Sequence, residues 1–289
     1  GEGGAAGGDD GVEPPPTTAA APASTDPPAT DPSVEPGPVE PAPVEPITVA
    51  LVGDSSAWTL GGGEIGLRTD HGPYVSPFDP ERVVLLNLAR KGYRLVPGAT
   101  TDLGGVRARS GDDLESERWW REVIADVEPD LVVAVFGLSD LQSREIDGVD
   151  VPFGSAVFDD RFRAAADGLL GYLAVTAPVL LLTSPPLLGE EMPVEEMAAF
   201  FDARSASRAR HLNGLLAEVA AASPRIDLHD LAGWLCPEGG VDGEPCRRRP
   251  DGGPMRFDGV HYDEEGGAVV AAYLTEHLIA AAAGGDTRP

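Results

Sequence analysis

Short apolar runs, each separated from the next by a helical pattern, are the feature that most limits the folds open to this chain. Continuous apolar runs are typical of parallel strands that helices cover on both faces. The runs occupy residues 47–52, 83–88, 131–136 and 179–182, with a weaker one at 226–228. Helical patterns fall at residues 115–127, 159–175, 203–222 and 264–283. Because alternating βα units connect through right-handed crossovers, we predict an α/β fold, a three-layer α/β/α sandwich around a five-stranded parallel sheet.

The first 46 residues contain no such run. They are rich in Pro, Gly, Ala and Thr, hold no Lys, Arg or aromatic residue, and repeat Val-Glu-Pro at a five-residue spacing. A segment of this composition buries too little apolar surface to offset its ordering entropy. We therefore predict a disordered acidic tether over residues 1–46 and one folded domain over residues 47–285.

The chain is strongly acidic, with a formal net charge of −27. Nine of its acidic residues and none of its Lys or Arg lie in the tether, which leaves −18 for the remainder. Such a surface repels phosphate backbones and anionic lipid headgroups, so we expect no nucleic acid among its partners. Solubility, a high-salt environment and a cationic partner are three interpretations of this charge that the sequence leaves open.

The two cysteines, Cys236 and Cys246, flank a loop of Pro, Glu, Gly and Asp. We predict that they form a disulfide, which would remove roughly 2–3 kcal/mol of unfolded-state entropy. No CxxC pair or histidine cluster accompanies them, so we expect neither a zinc site nor another cofactor. A disulfide and a Pro-rich tether favour an extracytoplasmic location, secreted or membrane-tethered at the cell surface. The sequence shows no starting Met, signal peptide or membrane-spanning run, so we expect a processed or partial chain.

Two short motifs near the ends of the predicted domain supply a nucleophile, a base and a carboxylate. Gly53-Asp54-Ser55 follows the first apolar run, and Asp258-Gly259-Val260-His261 precedes the last helical pattern. A serine hydroxyl attacks an ester only when a neutral imidazole takes its proton and a carboxylate holds that imidazole in the useful tautomer. We assign these roles to Ser55, His261 and Asp258, because ligand-binding residues gather at the C-terminal edge of a parallel sheet. Asp54 is expected to form hydrogen bonds within its own loop.

These motifs resemble those of the SGNH hydrolase superfamily, often called GDSL esterases, in which the serine lies in a Gly-Asp-Ser motif and the histidine follows an aspartate by three positions. The resemblance covers residues 47–283 and implies an oxyanion hole of three hydrogen-bond donors. Two of them are the N–H of Ser55 and the N–H of Gly92, which lies in a second block at residues 87–93. Gly98 is the fallback for Gly92.

The third donor position departs from the family pattern. The third block is Gly137-Leu138-Ser139-Asp140, with serine where asparagine is expected. A hydroxyl is shorter than a carboxamide and can also accept a hydrogen bond. Ser139 is therefore either the third donor, acting through water, or only a cap for its turn, and we expect a modest hydrolytic rate or an acceptor other than water.

Several further segments resemble the extracytoplasmic SGNH domains fused behind membrane O-acyltransferases of actinobacteria, which also tend to lack the third-block asparagine. These segments are the stretch from Val151 through Leu181-Leu182-Thr183-Ser184-Pro185-Pro186, followed by Arg210-His211-Leu212-Asn213, Trp234-Leu235-Cys236-Pro237 and Asp258-Gly259-Val260-His261-Tyr262. The likeness implies a domain that receives an acyl group from a membrane acyltransferase partner and passes it to a cell-surface glycan.

Three functional hypotheses follow from these observations. The leading one is a serine-dependent O-acyl esterase or acyltransferase that acts on a small acyl ester, chiefly acetyl, of a carbohydrate. The second is a non-catalytic domain that binds a glycan or a partner protein in the same cleft, which Ser139 and the acidic surface favour. The third is a lipase, which is disfavoured because no amphipathic lid is evident and the surface repels anionic membranes.

Overall fold

The described strands form two sheets. The computed structural model describes residues 45–63, 76–100, 113–188, 203–237 and 246–284, all of which belong to the unit that spans residues 44–289. In chain order the strands are β1 (Ile47–Gly53), β2 (Val83–Asn87), β3 (Ala99–Thr100), β4 (Leu131–Val135), β5 (Arg144–Ile146), β6 (Val149–Val151), β7 (Val179–Leu182) and β8 (Ile226–His229). The larger sheet has five parallel strands in the order β2-β1-β4-β7-β8, as predicted.

The register of this sheet brings four strand ends together at one edge. Gly53 at the end of β1 is opposite Val135 of β4, which is opposite Leu182 of β7, which in turn is opposite His229 of β8. Because all these strands are parallel, the segments that leave them all start from the same edge. The candidate residues that follow β1 and β4 are therefore neighbours in space.

Helices connect and cover these strands. They are α1 (Ser55–Leu60), α2 (Asp113–Val127), α3 (Ala156–Thr176), α4 (Ala203–Ala221), α5 (Leu231–Leu235) and α6 (Glu264–Ala282), with a 3-10 turn at Leu138–Asp140. Side chains cap several of them: Ser155 accepts from the N–H of Phe158 in α3, and Asp263 accepts from the N–H of Gly266 in α6. The long helices match the predicted helical patterns to within a few residues, whereas α1 and α5 were not predicted.

Alternate residues of each central strand point into two separate cores. In β1, Ala50 and Val52 pack with the apolar side chains of α2, α3 and α4. Val49 and Leu51 pack on the other face with those of α1, α5 and α6. The sheet is thus covered on both faces, which is why its strands are apolar throughout. The predicted three-layer sandwich is confirmed.

The smaller sheet, which was not predicted, is antiparallel in the order β3-β5-β6. Its strands have two or three residues each and include Arg144, Glu145 and Asp150, so they lack an apolar run. Asp147 and Gly148 form the two-residue turn between β5 and β6, with φ of 54° and 76°. Both values are positive, as a type I′ hairpin turn requires. The Asp-Gly pair was the sequence signal for this hairpin.

A disulfide and a long loop separate β8 from α6. Cys236, which follows α5, forms the predicted disulfide with Cys246. The Asp258–His261 segment thus follows β8, as predicted, with α5 and this bridged loop in between. Among the described helices, none combines the length and the apolar character that a membrane span requires. Residues 1–44 lie outside the described residues, so the tether stays a prediction.

Candidate active site

The structure brings the side chains of Ser55, His261 and Asp258 into one chain of hydrogen bonds. The Oγ atom of Ser55 lies 2.9 Å from Nε2 of His261, and Nδ1 of the same imidazole lies 2.7 Å from Oδ2 of Asp258. When Nδ1–H donates to the carboxylate, Nε2 is left to accept the proton of the serine hydroxyl. The three side chains are separated by up to 206 positions in the sequence and meet only in the fold.

Steric crowding requires a glycine at position 53, two residues before the serine. Gly53 has φ of +135°, and a Cβ atom there would overlap the carbonyl oxygen of Val135 in the adjacent strand. The chain then turns at Asp54, which caps α1 by accepting from the N–H of Ser56 at 2.8 Å. Ser55 becomes the first residue of α1 and lies at the C-terminal edge of the sheet.

Asp54 also connects the Gly-Asp-Ser turn to the third block. Its Oδ2 atom accepts from the N–H groups of Gly137 at 3.2 Å and Ser139 at 3.3 Å. Its side chain is fully buried, and burial raises its pKa against the opposing effects of these N–H donors and of the His261 charge. The expectation that Asp54 forms loop hydrogen bonds agrees with these contacts, which reach further along the chain than expected.

The loop that carries the histidine is organised by Asp258. Its Oδ1 atom accepts from the N–H groups of Val260 at 2.9 Å and His261 at 2.7 Å, while Oδ2 faces the imidazole. Burial is the largest single influence on the pKa of Asp258 and raises it, but the hydrogen bonds and the His261 charge together hold the pKa below its usual value. The carboxylate is therefore ionised where it faces Nδ1.

Thr59 joins this loop to the helix that carries the serine, and sequence reasoning missed it. Its hydroxyl accepts from the N–H of Tyr262 at 3.2 Å and lies 3.1 Å from the carbonyl oxygen of Ser55, to which it can donate. Thr59 is 3% exposed, so the contact is shielded from water. Because its partner is 203 residues away, no local pattern could have identified it.

Gly92 occupies a turn that is bonded to the Gly-Asp-Ser motif. The N–H of Tyr93 donates to the carbonyl of Arg90 at 3.1 Å, and Gly92 has φ of +78°, the sign that the third residue of a type II turn requires. The N–H of Arg90 donates to the carbonyl of Gly53 at 2.9 Å, which fixes this turn against the start of the Gly-Asp-Ser motif. Within the described part of the chain, the N–H of Gly92 has no acceptor.

The fallback residue, Gly98, has a different surrounding. A Cβ atom at this position would lie 2.6 Å from the carbonyl oxygen of Glu145 in β5, so Gly98 packs against the smaller sheet. Its own carbonyl accepts from Nη1 of Arg94 at 2.8 Å. The structure thus places Gly98 against the smaller sheet, whereas Gly92 lies in the turn that is bonded to Gly53.

Ser139 lies in the 3-10 turn after β4, and both of its backbone groups are occupied. Its N–H donates to Asp54, and its carbonyl accepts from Nη2 of Arg144. Its hydroxyl has no hydrogen-bond partner among the described residues. The structure therefore leaves the side chain, and not the backbone, as the group that Ser139 can offer to a ligand.

Arg144 is a second contributor that sequence reasoning missed. It is fully buried, and besides Ser139 it donates from Nε to the carbonyl of Val96 at 3.1 Å, so it ties the third block to the loop after β2. Its Nη2 lies 4.0 Å from the buried carboxylate of Asp140. Burial, opposed by Arg144 and reinforced by Asp54, raises the pKa of Asp140 to about 7. Sequence placed both residues near the third block but gave no sign of burial.

Asn213 holds the segment that follows β7. Its Oδ1 atom accepts from the N–H of Ser184 at 2.7 Å, and its Nδ2 donates to the carbonyl of the same residue at 2.9 Å. The two residues belong to separate segments of the closer resemblance noted above, and their contact was not predicted. Over the described ranges, no group of three or more His, Cys, Asp or Glu side chains is placed to hold a metal ion.

Solved structures of several esterases are similar to this chain over most of its length. A carbohydrate acetylesterase from Sinorhizobium meliloti is 14% identical, with 81% of this chain and 99% of that chain covered and a TM-score of 0.48. The acetyl xylan esterase AlAXEase is 18% identical, with 80% and 100% covered and a TM-score of 0.49. An aryl esterase from M. smegmatis is 14% identical, with 81% and 99% covered and a TM-score of 0.46.

No protein-family model matches the chain, and no curated protein matches it either. At these levels of identity and structural overlap, we draw no activity from the neighbours. The chemistry is taken from the side chains of the site itself.

Proposed function

We propose that this protein is a serine-dependent O-acyl ester hydrolase or acyltransferase. The observation that carries the proposal is the unbroken hydrogen-bonded chain from Ser55 through His261 to Asp258. Such a chain activates a hydroxyl that is otherwise too weak a nucleophile. Ser55 is the nucleophile, His261 is the general base and then the general acid, and Asp258 orients the imidazole and stabilises its charged form.

The reaction has two acyl-transfer steps. The Oγ atom of Ser55 bonds to the ester carbonyl carbon while Nε2 of His261 takes the hydroxyl proton, which leaves a tetrahedral oxyanion. When this intermediate collapses, the alcohol leaves and receives that proton from His261. An acceptor hydroxyl then attacks the acyl-serine with the same base assistance, and the C–O bond to Ser55 breaks to regenerate the enzyme.

The oxyanion is held by the donors that face the serine. We assign the N–H of Ser55 and the N–H of Gly92 to this role, because the turn that holds Gly92 is bonded through Arg90 to Gly53, two residues before the serine, and the N–H of Gly92 has no acceptor within the described residues. The hydroxyl of Ser139 is the third donor. A donor of this kind is worth roughly 3–4 kcal/mol of transition-state stabilisation, and a rotatable hydroxyl supplies less of it than a fixed amide.

The substrate that we propose is a small acyl ester of a carbohydrate outside the cytoplasm, with acetyl as the acyl group. The disulfide between Cys236 and Cys246 supports an oxidising compartment. The acceptor is either water or a sugar hydroxyl, and with Ser139 at the third donor position we expect either a modest hydrolytic rate or an acceptor other than water. A membrane acyltransferase as acyl donor belongs to the same proposal.

A non-catalytic domain that binds a glycan or a partner protein is the second candidate. It is favoured by Ser139, since a domain that does no chemistry does not need a fixed third donor. This candidate predicts intact folding and ligand binding without a covalent adduct at Ser55.

Intact-mass measurement after treatment with a fluorophosphonate tests the proposal. We expect one adduct on the wild-type chain and none on Ser55→Ala, with a strongly slowed reaction for His261→Ala. Ser56→Ala is the matched control, because it removes the adjacent hydroxyl and should react like the wild type. A folded wild-type chain that forms no adduct, or 4-nitrophenyl acetate turnover that survives in Ser55→Ala, would contradict the mechanism.

A further inference from the structure

Two exposed cations are the first two residues of the turn that holds Gly92. Arg90 and Lys91 directly precede this glycine and are both exposed. The hydrogen bond from the N–H of Arg90 to the carbonyl of Gly53 fixes their backbone against the Gly-Asp-Ser motif. Consecutive Cα atoms are only about 3.8 Å apart, so a substrate whose carbonyl binds the N–H of Gly92 meets both cations nearby.

Aromatic rings hold the two charges. The guanidinium carbon of Arg90 lies 4.0 Å from the ring centroid of Trp119, and Nζ of Lys91 lies 5.3 Å from that of Trp58. Trp119 belongs to α2 and Trp58 to α1, so each cation is held by a ring from a different helix. A stacked guanidinium keeps its in-plane N–H groups free to bind a carboxylate.

Neither charge is neutralised by a carboxylate in the part of the chain that the structure describes. This is notable in a chain with 48 acidic and 21 basic residues, where Arg82, Arg163 and Arg249 all form ion pairs. The nearby acids of the site are already engaged: Asp258 faces His261, and Asp54 accepts from backbone N–H groups. The positive charge at this rim is therefore available to a ligand.

We propose that Arg90 and Lys91 bind a carboxylate carried by the ester substrate. The substrate class is then an acyl ester with a carboxylate close to the scissile bond, either on the acyl side, as in a hemiester of a dicarboxylic acid, or on the alcohol side, as in an acylated uronic acid. This inference rests on the proposed function and narrows its substrate class.

The expected effect is a modest preference for anionic over neutral esters, which comes from direct contact with the two cations. An exposed ion pair is worth little on its own, so two of them together give a preference of roughly threefold to tenfold. The same contact forms in the ground state and the transition state, so it lowers KM and leaves kcat nearly unchanged. The net charge of −27 repels anions at long range, so anionic and neutral esters must be compared at one fixed salt concentration.

The test compares matched esters on matched variants. The acyl-side pair is 4-nitrophenyl acetate and 4-nitrophenyl hemisuccinate, and the alcohol-side pair is an acetylated methyl glucoside and the corresponding acetylated methyl glucuronide. In Arg90→Gln/Lys91→Gln we expect the anionic-to-neutral ratio of kcat/KM to fall threefold to tenfold for one pair, through KM. Arg161→Gln/Arg210→Gln removes two exposed charges elsewhere and should leave both ratios unchanged.

A binding measurement separates failure of this inference from failure of the proposed function. Titration of the anionic esters into Ser55→Ala, with and without the two glutamine substitutions, reports the carboxylate contact without any turnover. Kd should rise threefold to tenfold when the cations are removed. Unchanged ratios and an unchanged Kd, in variants that melt like the wild type, overturn the inference even if the serine is reactive; a serine that forms no adduct overturns only the chemistry.

Discussion

Replacing Thr59 with valine should slow catalysis without unfolding the protein. Valine keeps the shape of the side chain and has nearly the same helix propensity, but it cannot accept from the N–H of Tyr262 or donate to the carbonyl of Ser55. The position is 3% exposed, so water does not simply replace the hydroxyl. The loop that carries His261 then either keeps its place with an unpaired N–H or moves to satisfy it.

The size of the effect follows from the contact that is lost. An unsatisfied buried donor costs about 1–3 kcal/mol. If the loop moves away to avoid this cost, the imidazole leaves the 2.9 Å contact with Ser55, and kcat falls by roughly 5- to 150-fold at 1.36 kcal/mol per tenfold. If the loop stays, the same cost lowers the melting temperature by about 2–4 °C per kcal/mol for a domain of this size. We expect the larger share in kcat, because the same loop carries the imidazole that must face Ser55.

The assay measures kcat, KM and thermal unfolding for the wild type, Thr59→Val and Thr59→Ser. Serine retains the hydroxyl, so it should restore most of kcat, while KM should change little in either variant. Wild-type kcat together with wild-type melting in Thr59→Val would refute the reasoning. So would a serine variant as impaired as the valine variant, since packing and not the hydroxyl would then be responsible.

Three further predictions concern the bridged loop and the two carboxylates. Cys236→Ser/Cys246→Ser should lower the free energy of unfolding by about 2–3 kcal/mol in a urea titration, while fluorophosphonate labelling persists, because the closed loop is short and lies outside the reacting groups. Asp258→Asn should lower kcat by roughly 10⁴-fold at neutral pH with little change in melting, as the amide favours the wrong imidazole tautomer. For Asp140, whose pKa is raised to about 7, the folded state keeps a proton that the unfolded state releases near its usual pKa; the stabilisation is full below that value and is lost as pH rises to about 7. Unfolding titrations across this range should show a steeper slope in the wild type than in Asp140→Asn, which retains the raised pKa of Asp54.

Sequence patterning predicted the central sheet and its long covering helices because the strands are continuous apolar runs and the segments between them have helical patterns. These strands are buried on both faces, so the continuous apolar runs at residues 47–52 and 131–136 were enough to identify them as central strands. No strand of this sheet ends more than one residue from its predicted end: β1 and β8 extend by Gly53 and His229, and β2 and β4 each end one residue earlier. The smaller sheet was not predicted, because strands of two or three residues are too short to show a recognisable apolar pattern.

The residues of the candidate site likewise fall into two groups, those that sequence motifs predicted and those that only the fold revealed. Ser55, Asp258 and His261 were identified because each belongs to a short motif with a fixed spacing. Thr59 and Arg144 were not, because their importance comes from partners that only the fold supplies. A buried arginine or a mid-helix threonine looks ordinary in a sequence, and only burial with a distant backbone partner marks it as part of the site.

Three turns of the candidate site are each tied to α1 or to the residues just before it. The N–H of Arg90 bonds to the carbonyl of Gly53, the third block donates two N–H groups to Asp54, and the N–H of Tyr262 bonds to Thr59. Because each tie ends on the segment that carries the serine, a small displacement of α1 carries the donors and the base along with it. Their mutual geometry is therefore preserved, as a site that stabilises a transition state by fixed dipoles requires. The Arg90–Gly53 bond also fixes the backbone that carries the cations of Arg90 and Lys91. A carboxylate bound by these cations would therefore keep a constant position relative to the serine.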